Sequence, residues 1–98
     1  MNKKIWKLLM ILVLLSFFAT GCYYFAAKKE IKNAENLVSD LKAARGENLV
    51  PYEYTSAEKF LEISKIQFKE WDFKDAKGFA DRSKSAAEAG LSEVKKKK

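Results

Sequence analysis

The sequence predicts an all-α chain: an N-terminal apolar signal helix followed by a three-helix antiparallel arrangement, a helix plus an α-hairpin. Three observations lead there. Apolar residues recur at spacings of three and four in three separate stretches between residues 26 and 94. Helix start and stop signals lie between those stretches. Cys22 is the single cysteine, so no internal disulfide can hold a different architecture together, and stability has to come from helix packing or from a partner.

The chain starts with basic residues (Lys3, Lys4, Lys7), and an uncharged apolar run from Leu8 to Phe18 follows. Small residues come next, Ala19-Thr20-Gly21, directly before Cys22. Basic n-region, short apolar h-region and small residues in this order form a secretory signal peptide. A lone thiol after them resembles the lipobox of bacterial lipoproteins, which implies cleavage between Gly21 and Cys22 and acylation of Cys22. A second reading of the same residues stays open. Leu8 to Ala27 is 20 residues without a charge, long enough to span a bilayer uncleaved, with Tyr23, Tyr24 and Phe25 as an interfacial belt and Lys28 and Lys29 beyond it. Both readings put the rest of the chain outside the cytoplasmic membrane, because a lysine-rich end stays in the cytoplasm.

The expected organisation is a signal peptide at 1–21, a lipidated N-terminus at 22–25, a helical domain at 26–94 and a basic tail at 95–98. Cleavage leaves 77 residues, enough for one small domain near the lower limit of a self-sufficient core. The first helix of that domain is expected over 26–45, with Ala27, Ile31, Ala34, Val38 and Leu41 on its buried stripe and Leu37 and Ala44 widening it. Gly46 follows Arg45 as a C-terminal cap. Gly46 to Tyr54 lacks a period and contains Pro51, and reads as a loop. Thr55-Ser56-Ala57-Glu58 matches a capping box opening the second helix. Its inner face is Ala57, Phe60, Leu61, Ser64, Phe68 and Trp71, with Ile63 and Ile66 on the flank. Asp72 caps the third helix, whose seam is Ala76, Phe79, Ala80, Ser83 and Ala87, extending weakly to Leu91 and Val94. Gly90 is the expected end of the well-ordered part. A turn as short as Trp71-Asp72-Phe73 forces the last two helices antiparallel.

Composition narrows the function classes. Histidine is absent, so a Cys–His or Ser–His nucleophile pair is excluded and a zinc site would need carboxylates alone. No Gly-rich phosphate loop or metal-ligand spacing occurs, and pairs such as Glu58/Glu62 sit beside Lys59 and Lys65 on a polar face. No enzyme activity and no cofactor are expected. The net charge of +6 is concentrated at the ends. Three lysines precede Leu8 and four form Lys95 to Lys98, leaving twelve basic and thirteen acidic residues between Cys22 and Val94. Interspersed charge of this kind is a solvated helix surface and no nucleic-acid site.

The stretch Val50-Pro51-Tyr52-Glu53-Tyr54-Thr55-Ser56-Ala57-Glu58-Lys59-Phe60-Leu61, followed by Asp72-Phe73-Lys74-Asp75-Ala76 and Phe79-Ala80-Asp81-Arg82-Ser83, resembles the DUF4398 family of small bacterial envelope proteins. The likeness runs from about Ala34 to Gly90. It implies an outer-membrane lipoprotein facing the periplasm, some relatives lying beside OmpA-like peptidoglycan-binding proteins, and it implies no reaction. The Asp72–Ala76 turn also resembles tetratricopeptide repeats, in packing style alone, since one repeat cannot bury its own faces. The expected function is therefore a structural or adaptor role, held to a membrane through acylated Cys22 and facing an envelope partner. The candidate partner surface is Tyr52, Tyr54, Trp71 and Phe73, with Phe68 beside it; core filling is the competing role for these aromatics. Leftover apolar flanks at Ile63, Ile66, Leu91 and Val94 point to self-association. Lys95 to Lys98 suggests a second binding mode, docking on anionic lipid or cell-wall polymer, against the plainer role of complementing a helix dipole.

Overall fold

The first helix does not stop where the apolar run ends. In the computed structural model, which describes residues 2–97 and, for residues 17–21, the backbone without the side chains, α1 runs unbroken over Lys3–Ala43. Three more helices follow among the described residues: α2 (Gly46–Leu49), α3 (Pro51–Lys69) and α4 (Phe73–Lys97). The all-α class is as the sequence predicts. Helices α1, α3 and α4 form an up-down-up bundle, with α4 packed along both α1 and α3 and α1 touching α3 less.

Among the described residues the first buried side chain is Ala27. Buried residues follow the helical period on each strand of the bundle: Ala27, Ala34, Val38 and Leu41 on α1; Tyr54, Ala57, Leu61 and Ser64 on α3; Phe73, Ala76, Ala80, Ser83, Ala87, Gly90 and Val94 on α4. Small residues dominate the α3–α4 seam, which lets the two backbones approach. Two serines cross it in opposite senses. The Ser64 hydroxyl donates to the Ala76 carbonyl at 2.5 Å, and the Ser83 hydroxyl to the Ala57 carbonyl at 2.7 Å. Each buried hydroxyl is thereby satisfied without any side-chain partner.

The connections differ from the sequence expectation in three places. Arg45, not Gly46, takes the left-handed conformation after α1 (φ 66°), with its N–H bonded to the Lys42 carbonyl at 3.0 Å. Gly46 is needed for space instead, since an added Cβ would lie 2.5 Å from Leu41 Cγ and 2.7 Å from Leu41 O. The loop expected over Gly46–Tyr54 is mostly helix. Pro51 occupies the first turn of α3, where its missing N–H costs nothing and its fixed φ suits a helix start. Val50 before it lies outside the helical region (φ −136°, ψ 64°), without reaching the extended conformation that a following proline favours, and is 2% exposed. The Thr55–Glu58 capping box is consequently not a cap, because Thr55 already lies inside α3. Finally, α4 continues through Gly90 to Lys97. Gly90 is a crossing point, where an added Cβ would meet Leu41 Cδ2 at 2.9 Å and Glu53 Cβ at 3.2 Å.

The α3–α4 turn is a Schellman motif. The Trp71 N–H reaches the Phe68 carbonyl at 3.1 Å, and the Asp72 N–H reaches the Gln67 carbonyl at 2.9 Å. The residue in the left-handed position is Trp71 (φ 65°), where glycine is the usual occupant and a bulky side chain costs about 1–2 kcal/mol. Asp72 then caps α4 as the sequence predicts, its Oδ1 accepting from the Asp75 N–H at 3.3 Å.

Candidate functional site

Two regions of α1 differ in their surroundings. Ile5, Trp6 and Leu8 to Leu15 are all exposed, with no helix packed on them. From Tyr24 onward the same helix enters the bundle. Cys22 sits at this junction and is exposed, with a free thiol. Gly21, its expected cleavage partner, falls among residues 17–21, whose side chains lie outside the described ones. From Lys3 to Cys22 the helix rises about 30 Å, the thickness of a bilayer hydrocarbon core. Among the described residues no helix is long and apolar enough to cross a membrane, and the uncharged run Leu8–Ala27 passes through the five residues whose side chains are not described.

Next to the junction lies an aromatic cluster. Tyr24 of α1 meets Phe73 edge-on, with ring centroids 5.1 Å apart, and Phe68 at 5.4 Å. Phe68 and Phe73 meet at 5.2 Å, and Trp71 lies 5.8 Å from Phe73. Ala27 and Ala76 floor this cluster. The α3–α4 turn thus sits at the level of Tyr24, two residues or about 3 Å of axial rise beyond Cys22. Proximity of the turn to Cys22 has no sequence signal, since 49 residues separate Cys22 from Trp71.

The expected partner surface does not form as one patch. Tyr52 and Trp71 are each 80% exposed, but they lie at opposite ends of α3, about 28 Å apart along its 19 residues. Tyr54 and Phe73 are buried, at 5% and 7% exposure, and belong to the core. Tyr54 is carried inward because α3 starts early, which puts it one turn before Ala57 on the same face. Its hydroxyl donates to Glu58 Oε1 at 2.8 Å, and that hydrogen bond, reinforced by burial, pushes the Tyr54 pKa above its ordinary value. Of the apolar flanks, Val94 is buried, Ile63 and Leu91 are half-buried, and Ile66 remains exposed.

The polar groups are mostly structural. Lys84 Nζ lies 2.8 Å from Glu30 Oε2, joining α4 to α1, and this contact raises the Lys84 pKa. Lys65 pairs with Glu35 at 3.0 Å between α3 and α1. Asp75 is pushed up by its neighbour Asp72, a consequence of the cap. Among the described residues, no group of three or more potential ligands is placed to hold a metal. Lys97 Nζ donates to the Leu49 carbonyl at 2.7 Å and Lys96 pairs with Glu93 at 3.4 Å, so these lysines extend α4 and close the α2 end. Lys98 lies outside the described residues. The far end of α4 stands about 37 Å from the Phe73 end. No family model, curated protein or solved structure matches this chain.

Proposed function

We propose that this chain is a membrane-anchored envelope lipoprotein of the DUF4398 kind, acylated at Cys22, whose helical bundle is a non-enzymatic adaptor for an envelope protein on the periplasmic side of an outer membrane. One observation carries the reading: Cys22 is exposed where α1 passes from an unpacked apolar stretch into the packed bundle. The thiol is accessible to an acyltransferase, and the first buried side chain among the described residues, Ala27, lies beyond the cleavage point. Multiple acyl chains on one residue give durable anchoring, where a single chain is marginal.

A second reading is favoured by the continuity of α1 through Gly21 and Cys22. A peptidase takes its substrate extended, so cleavage requires this segment to unwind. If it stays helical and uncleaved, the chain is a single-pass anchored protein with the same bundle outside. A third role, docking of Lys95 to Lys98 on the anchoring membrane itself, is disfavoured by geometry. If α4 stands along the membrane normal, its Lys97 end is about 37 Å from the end near Cys22, several Debye lengths away.

Intact mass of the membrane-extracted protein, beside Cys22→Ala, separates the readings. Loss of residues 1–21 with added acyl mass, abolished in the variant, is the expected result. A full-length unacylated chain overturns the lipoprotein and leaves the anchored span.

A further inference from the structure

We infer that the α3–α4 turn is a second membrane contact, in which Trp71, with Tyr23 and Phe25, inserts into the lipid headgroup–acyl boundary beside the anchor and holds the bundle upright. The inference rests on the anchoring proposed above, in either its acylated or its spanning form, and adds how the bundle sits on the bilayer.

Three observations converge. First, exposed large apolar side chains of the bundle are concentrated at one end. Among the described residues from Cys22 onward there are five: Tyr23, Phe25, Tyr52, Ile66 and Trp71. Four lie at or within about two turns of the α3–α4 turn, and Tyr52 alone is at the opposite end. Trp71 is 80% exposed, Phe25 70% and Tyr23 43%. Second, Trp71 occupies the left-handed position of the Schellman turn, where glycine would serve the fold better. Its indole is neither buried nor bonded into the core, so the fold gains little from a side chain there that strains the backbone. The Phe73 contact at 5.8 Å fixes where the ring points without covering it. Third, this end is continuous with the apolar stretch of α1. Tyr24, which packs on Phe73, follows Cys22 by two residues, so any lipid that receives Cys22 brings the turn to the same depth.

The occupant follows from the charges. Around the turn stand Lys28, Lys29, Lys69 and Lys74 against Glu70, Asp72 and Asp75, so the end carries almost no net charge. That composition suits the interface of a zwitterionic bilayer, where amphipathic rings sit at headgroup level, and gives no special attraction to an anionic one.

The test uses Trp71 as its own reporter. With Trp6→Phe, Trp71 is the sole tryptophan of the full chain. The protein is reconstituted in phosphatidylcholine vesicles, with or without bromine on the upper acyl chains, and flotation is read first. A control chain carries Trp6→Phe, Trp71→Phe and Tyr52→Trp, placing the reporter at the far end. The expected result is a blue-shifted Trp71 emission, quenched by brominated lipid, and a several-fold lower sensitivity to aqueous iodide than the residue-52 reporter, unchanged by added salt. A chain that floats but whose Trp71 is as open to iodide as the residue-52 reporter overturns the membrane contact while leaving the anchor standing. A chain that fails to float overturns the anchor, and the contact with it.

Discussion

The two glycines of α4 give opposite predictions for one substitution. Gly78 is exposed and a Cβ built on it meets nothing within 4 Å. Gly78→Ala should therefore deliver the helix-propensity gain alone, about 1 kcal/mol of stabilisation. Gly90 gains the same propensity but its Cβ would come within 2.9 Å and 3.1 Å of the two Leu41 methyls and 3.2 Å of Glu53 Cβ. Leu41 is fully buried, so it has little room to rotate away. Overpacking of this kind costs about 1–3 kcal/mol, leaving Gly90→Ala neutral to about 2 kcal/mol destabilising. The two variants should thus differ by about 1–3 kcal/mol, and each kcal/mol corresponds to about 4–8 °C in the midpoint of a domain this size. Urea and thermal unfolding of the full chain in mild detergent, followed by far-ultraviolet ellipticity, reads the difference. In a Leu41→Ala background, itself costing about 2–5 kcal/mol, Gly90→Ala should become less harmful because the methyls it strikes are gone. If Gly90→Ala raised the midpoint as much as Gly78→Ala does, the close crossing of α1, α3 and α4 at Gly90 would be refuted.

Two further outcomes follow from the polar contacts. Tyr54 keeps its proton above the ordinary value of 10.0 in the folded chain, because its hydroxyl donates to Glu58 and burial disfavours the phenolate. The unfolded chain releases that proton first, so stability present below pH 10 should fall as pH rises through the higher folded value, and Tyr54→Phe should remove that part of the slope in unfolding measured against pH. For Lys84 and Glu30, a double-mutant cycle to alanine should give a coupling of about 0.5–1 kcal/mol that shrinks in high salt; a coupling of zero would mean the 2.8 Å contact is fully screened.

The buried stripes were legible because a helix that packs on one side has to repeat its apolar residues every three or four positions. Ala27, Ala34, Val38 and Leu41, then Ala57, Leu61 and Ser64, then Ala76, Ala80, Ser83 and Ala87 were all readable on that ground. Tyr54 falls outside the expected core stripe because Pro51, read locally, marks a loop. The signal that would have corrected it was present: Tyr54 extends the Ala57–Leu61–Ser64 stripe by one turn, and proline is at home in the first turn of a helix. The left-handed residue after α1 is Arg45, one position before the expected Gly46, since glycine satisfies both a positive φ and a close approach and the sequence does not say which need it meets.

By itself the sequence determined the helical class, the three packed faces, the Asp72 cap and the sharp turn that folds α3 back on α4, because these depend on local periodicity and local hydrogen bonding. Tertiary structure alone decided what meets across sequence distance. It set Gly46 and Gly90 against Leu41, sent the hydroxyls of Ser64 and Ser83 across to carbonyls of the facing helix, and brought Trp71 to the level of Cys22. Those contacts depend on how far the helices run and at which heights they cross, and a chain read residue by residue carries the period of each helix but not the register between them.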